Sequence, residues 1–184
     1  MKIKVCGITD AEFAVAAERL GVDYLGFIFA PASPRNLSVE RAAAIVSRLD
    51  GSAMRVGVFV RQTVEEIVRI MREANLQVVQ LHRRATAEDV AALRTAGYEV
   101  WTLAGGAEGD GVLFDSSHGD GDTDFRRGRY TSILAGRLSV ENLGEAMATG
   151  ADILDFNSSL ETEPGKKSLD RLTRLLTSLK ALMF

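Results

Sequence analysis

Cysteine is nearly absent from this chain: Cys6 is the single thiol in 184 residues. One cysteine excludes an internal disulfide and fits a reducing compartment, so the chain is expected in the cytoplasm. Histidine is scarce too, and one cysteine with two separated histidines, His82 and His118, has no metal-ligand spacing. There is no basic block and the net charge is −3, which argues against nucleic acid as a partner. No apolar stretch approaches the ~20 residues that a membrane-spanning helix needs. Met1-Lys2-Ile3-Lys4 leads straight into strand and helix patterns, which reads as a chain with no signal peptide. Linkers and low-complexity tails are missing as well, so residues 1–184 are expected to form one domain, long enough to bury a real core.

What is present alternates. Short apolar runs at 3–6, 24–30, 55–60, 78–82, 99–104, 111–115, 132–135 and 153–157 are mostly β-branched or aromatic and bounded by Gly, Asp or Pro. Their near-continuous hydrophobicity suits parallel strands buried on both faces. Helical patterns lie between them. Asp10 is placed to cap 11–20, with Gly21 as the stop, and Ser38 to cap 39–49. Thr63 with Glu66 reads as a capping box, and Thr86 with Asp89 starts a helix that ends at Gly97. Ser139 and Asn142 precede 143–149, and from Lys167 onward leucines recur at helical spacing. Eight strands with helices between most of them predict a single-domain α/β protein, a (β/α)8 TIM barrel, with a doubly wound open sheet as the alternative. The fifth helix is expected to be missing or reduced. Gly105–Asp110 is too short for one, and the polar, Gly-rich segment after Asp115 has room only for a short helix near Phe125.

Barrel active sites are built where the strands end. Here those positions hold Cys6, Ser33-Pro34-Arg35, His82, Asp115, Ala135-Gly136-Arg137 and Asn157-Ser158-Ser159. A thiol and a carboxylate facing one another can share base and acid roles across a substrate. An arginine can clamp a carboxylate bidentately, and the turns after strands seven and eight sit where barrel enzymes commonly bind phosphate. Each residue also has a plainer reading. Cys6 alone reads as a small buried hydrophobe, Arg35 as a surface residue after a turn proline, and His82 as a structural hydrogen-bonding residue. The amides of Gln80 and Asn157 are expected to satisfy polar groups or orient substrate, and Asp155 to belong to a polar network on strand eight.

In order along the chain stand Lys-Val-Cys-Gly-Ile-Thr (4–9), Leu-Gly-Phe-Ile-Phe-Ala (25–30), Ser-Pro-Arg (33–35) and Val-Gly-Val-Phe (56–59). Gln-Leu-His (80–82), Leu-Phe-Asp (113–115), Ile-Leu-Ala-Gly (133–136), Glu-Asn-Leu (141–143), Leu-Asp-Phe-Asn-Ser (154–158), Glu161 and Pro164-Gly165 follow. With these segments the chain resembles the phosphoribosylanthranilate isomerases of tryptophan biosynthesis, from Lys4 to about Lys167. The resemblance implies an Amadori rearrangement of N-(5'-phosphoribosyl)anthranilate to 1-(2-carboxyphenylamino)-1-deoxyribulose 5-phosphate, without metal or organic cofactor. Asp115 is then the general acid and Cys6 the general base. Arg35 pairs with the anthranilate carboxylate, and Gly119, Gly121, Ala135, Gly136, Asn157, Ser158 and Ser159 line the substrate site. That chemistry needs a protonated Asp115 near neutral pH, above the ~3.9 usual for aspartate. It also needs a partly ionised Cys6, hence a nearby positive charge or helix N-terminus. The partner is a small phosphosugar, and both a monomer and a homodimer suit the chain.

The sequence departs from the family pattern around the phosphate. Gly119-Asp120-Gly121-Asp122 puts two acidic residues where a Gly-rich loop approaches a dianion, a repulsive arrangement unless they point outward. Arg137 replaces the second glycine of an Ala-Gly-Gly turn. It resists the backbone shape that glycine allows, and it either blocks the phosphate, supplies charge to it, or pairs with Asp120 or Asp122. These changes keep two other readings in view: a related barrel isomerase or lyase acting on another sugar phosphate, and a non-catalytic barrel.

Overall fold

All eight apolar runs become strands, and they close on one another. The computed structural model describes residues 1–116 and 130–183. Its barrel strands are β1 (Lys2–Cys6), β2 (Tyr24–Phe29), β3 (Met54–Phe59), β4 (Val78–Leu81), β5 (Glu99–Leu103), β6 (Gly111–Asp115), β7 (Thr131–Ala135) and β8 (Ile153–Phe156). They pair in sequence order, each parallel to its neighbour, and β1 pairs with β8 to complete the ring. Closure rules out the open doubly wound sheet.

The alternation of side chains along each strand sorts the core into two layers. Inward residues such as Tyr24, Val56, Val78, Trp101, Leu113 and Ile153 fill the barrel. Tyr24 and Trp101 meet edge to face, with ring centroids 4.9 Å apart. Outward residues such as Val5, Leu25, Phe27 and Val79 pack under the helices. Both faces of the strands are therefore largely covered, which is why the runs read as near-continuously apolar.

The helices begin where their capping residues stand. Asp10 accepts the Phe13 N–H at 2.8 Å and opens α1 (Ala11–Arg19). Thr63 with Glu66, and Thr86 with Asp89, form capping boxes on α3 (Val64–Glu73) and α4 (Ala87–Thr95). Ser38 caps α2 (Val39–Val46), which is shorter than expected. Past Val46 the backbone tightens, with Arg48 and Leu49 bonding back three residues, and the buried Glu18 of α1 accepts the N–H groups of Asp50, Gly51 and Ala53. α5 (Leu143–Ala148) is one turn and a half, and Asn142 accepts from Ser139 N–H instead of capping it. No helix joins β5 to β6, as expected, and the short helix expected near Phe125 falls outside the described residues. After β8 come a 3-10 turn at Ser158–Leu160, a hairpin of β9 (Glu161–Glu163) and β10 (Lys166–Lys167), and α6 (Leu169–Met183), whose Leu182 and Met183 are exposed. Among the described residues no helix is long and apolar enough to cross a membrane.

Candidate active site

The carboxyl ends of the strands surround a cavity of about 400 Å³, lined among others by Cys6, Arg35, His82, Asp115, Gly136 and Asn157. β1 and β6 stand three strands apart around the ring, so the thiol and the carboxylate enter the cavity from different walls. Cys6 is buried, 5% exposed, and sits beside Gly26 of β2, its register partner. A Cβ at position 26 would come within 2.9 Å of the Cys6 sulfur, so only glycine leaves room for the thiol. Asp115 ends β6 with its carboxylate 3.8 Å from His82 Nε2.

Beneath Cys6 lies a charged layer. Lys4 shares the inward face of β1, two residues before the thiol. It is fully buried, and its ammonium donates to Asp155 Oδ2 at 2.6 Å, across the β1–β8 register pair Lys4↔Asp155. Burial works against the Lys4 charge, but Asp155 and Cys6 outweigh it and hold the ammonium above its ordinary value. Burial pushes the Cys6 thiol up; Lys4 and Lys167 oppose that shift and Asp155 adds to it. The positive charge that a reactive thiolate needs is thus present on two sides, one of them a lysine in an otherwise apolar strand. That misfit in Ile3-Lys4-Val5-Cys6 is the one signal that sequence reasoning passed over.

Arg35 is not a loose surface residue. It donates from Nε and Nη2 to the two Glu161 oxygens, both at 2.7 Å. Lys167 donates to Glu161 at 2.7 Å and to the Asn157 side-chain oxygen at 2.8 Å. Burial pushes Glu161 up, but these donors outweigh it and hold the carboxyl below its ordinary value. Gly7 makes the arrangement possible. Its φ is +74°, and a Cβ there would meet Arg35 Cδ at 2.6 Å and Asn157 Oδ1 at 2.9 Å. Glu161, Lys167 and Gly7 stand inside or beside the quoted segments, yet nothing local marks them as one network, because their partners come from other strands.

Across the mouth, Ala135, Gly136 and Arg137 line the cavity at the end of β7, and Asn157 and Ser158 line it at the end of β8. Ser159 does not. It borders a neighbouring cleft with Ser139, Arg171 and Arg174, because the 3-10 turn swings successive side chains by about a third of a turn. Gln80 and Asp155 also reach the cavity wall, each with one buried oxygen that has no hydrogen-bond partner among the described residues. Gly119, Gly121, Asp120, Asp122 and His118 lie outside the described residues.

Residues 3–178 match the family model for N-(5'-phosphoribosyl)anthranilate (PRA) isomerase. The chain is 36% identical over 200 residues to an N-(5'-phosphoribosyl)anthranilate isomerase of Campylobacter jejuni, covering 98% of this chain and 99% of that one. It is also similar to the solved phosphoribosyl anthranilate isomerase of Thermus thermophilus, with a TM-score of 0.85 and 35% identity over 99% of this chain and 100% of that one. A third relative is a phosphoribosyl anthranilate isomerase solved in complex with reduced 1-(o-carboxyphenylamino)-1-deoxyribulose 5-phosphate. It superposes with a TM-score of 0.82 at 29% identity, over 99% of this chain and 100% of that one.

Proposed function

The chain belongs to the N-(5'-phosphoribosyl)anthranilate isomerase family, and on that premise we propose that Cys6 and Asp115 are the base and the acid of its reaction. It is an isomerase of N-(5'-phosphoribosyl)anthranilate, the step of tryptophan biosynthesis that yields 1-(2-carboxyphenylamino)-1-deoxyribulose 5-phosphate. The observation that carries the assignment of roles is the convergence of Cys6 at the end of β1, Asp115 at the end of β6 and Arg35 in the turn after β2 on one cavity.

In this reading Asp115 gives its proton to the ribose ring oxygen. The ring C–O bond breaks as the anilino nitrogen donates its lone pair to C1, forming an iminium. The Cys6 thiolate takes the proton from C2. The pair from that C–H bond becomes the C1–C2 double bond, and the iminium π pair returns to nitrogen. The resulting enolamine tautomerises to the ketone: C1 gains a proton and the C2 hydroxyl loses one. Lys4 and Lys167 favour the thiolate electrostatically. Arg35 turns from Glu161 toward the anthranilate carboxylate, or holds it jointly. The turns after β7 and β8, with Ala135, Gly136, Asn157 and Ser158, receive the phosphoribosyl end, together with Gly119 and Gly121. Ser159 lies on the neighbouring cleft and is left out of this set. Residues 1–184 act as one catalytic domain. The lone thiol supports a place in the reducing cytoplasm, and a monomer or a homodimer is separable by light scattering.

The test is the loss of substrate fluorescence when purified protein meets fresh N-(5'-phosphoribosyl)anthranilate. Wild type turns over, and Cys6→Ser and Asp115→Asn each lose about 10²–10⁴-fold in kcat, the usual contribution of a positioned acid or base. Unchanged turnover in either folded variant removes that residue from its role.

A further inference from the structure

Arg137 holds a backbone shape that its side chain disfavours. Its φ is +54°, directly after Gly136 at +94°. Among the described residues Asn75 is the only other non-glycine with positive φ, and asparagine enters that region several-fold more readily than most side chains. The turn is built to keep this shape. Asn142 donates from Nδ2 to the Arg137 carbonyl at 3.0 Å and accepts the Ser139 N–H at 2.8 Å, so both ends of the turn are tied to one side chain. Strain kept by a surrounding structure in this way points to a use for the residue that causes it.

Position and charge say what the use is. Arg137 lines the mouth cavity at the end of β7. The other strong cations around the active site are committed to carboxylates: Arg35 and Lys167 to Glu161, and Lys4 to Asp155. Arg137 makes no ion pair with any described residue. It follows β7, three strands from the β2 end that carries Arg35, so the cavity has on separate walls one guanidinium paired with Glu161 and one with no ion pair to any described residue.

We propose that Arg137 is a phosphate contact, which binds the phosphoryl end of the substrate through its guanidinium and so replaces, with a side-chain charge, part of what a glycine turn offers through backbone N–H groups. The proposal rests on the reading of this cavity as the substrate site and adds to it the residue that selects for a phosphorylated sugar. Guanidinium forks match phosphate oxygens in geometry and charge, and because Arg137 is exposed, its contribution is screened by salt.

The experiment titrates inorganic phosphate into wild type, Arg137→Gly and Arg137→Lys, reading binding by thermal shift, with steady-state kinetics on N-(5'-phosphoribosyl)anthranilate alongside. Arg137→Gly fits the turn better, so its melting temperature without phosphate equals or exceeds that of wild type. Its phosphate affinity falls about tenfold, a loss of one charge-assisted contact, KM rises by a similar factor, and kcat stays within about twofold. Arg137→Lys falls between the two, and the gap between wild type and Arg137→Gly narrows as salt rises. Equal phosphate affinity and KM in wild type and Arg137→Gly overturn the proposal, and so does a wild type that binds no phosphate. A wild type that binds phosphate through Arg137 but leaves the anthranilate substrate unchanged overturns the proposed reaction and not this contact.

Discussion

The two walls of the barrel mouth are built on different principles. The wall of β8, β1 and β2 is an ionic lattice: Lys4 with Asp155, and Arg35 and Lys167 with Glu161, all within 2.6–2.7 Å. The wall of β6 and β7 presents Asp115 beside His82 and then a turn, Gly136-Arg137, whose guanidinium has no carboxylate partner among the described residues. The first wall pairs each of these charges internally, before any ligand arrives. The second presents a cation that no described carboxylate pairs with. In the proposed reading, a substrate with a carboxylate at one end and a phosphate at the other meets the paired lattice on one side and, on the other, a cation with no ion pair among the described residues. Preorganisation on the first wall also places cations next to the thiol, where an isolated buried cysteine would resist ionisation.

The comparison breaks most visibly if the lattice is cut. Lys4→Met leaves Asp155 as a buried charge without its ion pair, and urea unfolding should show a loss of about 3–5 kcal/mol. Lys4→Met together with Asp155→Leu should recover most of it, since an apolar pair of similar volume commonly replaces a buried ion pair at little cost. The single variant also removes the cation that opposes burial at Cys6. Its thiol therefore ionises at higher pH than in wild type, and the pH midpoint of iodoacetamide alkylation moves up. An unmoved midpoint would make Lys4 purely structural.

A smaller effect comes from Gly7→Ala. It imposes a left-handed φ of +74° on a residue with a Cβ and drives that Cβ to 2.6 Å from Arg35 Cδ. About 1–2 kcal/mol of stability should be lost to backbone strain alone, and KM should rise because Arg35 is displaced. A normal KM would detach Arg35 from substrate binding.

The subtlest change is Glu161→Gln. Because the Glu161 carboxyl is held below its ordinary 4.5 in the folded protein, its ionised form stabilises the fold above that pH. The stabilisation fades as pH falls through the native value. The Gln variant should therefore show a flatter loss of melting temperature below about pH 4.5, while the two proteins keep parallel profiles above it. Identical acid limbs would mean that Arg35 and Lys167 gain nothing from the carboxylate.

Much of this was legible one segment at a time. The strands announced themselves as apolar runs because a parallel barrel buries both of their faces, and Asp10, Thr63 and Thr86 marked helix starts because a cap bonds only within its own first turn. α2 stops short of its sequence pattern, and Glu18, from another helix, takes over the backbone donors of the following loop. Cys6, Arg35 and Asp115 were recognisable at strand ends, but Ser159 was grouped with Ser158 although the 3-10 turn sends it to a different cleft.

The sequence by itself determined the alternation of strand and helix, the eightfold count and the family, since each depends on residues close together in the chain. Only the tertiary structure decided that Lys4 pairs with Asp155, 151 residues away, and Arg35 with Glu161, 126 residues away. Ring closure and register bring those charges together, and a periodicity read along one strand holds no information about which residue of another strand will stand opposite it.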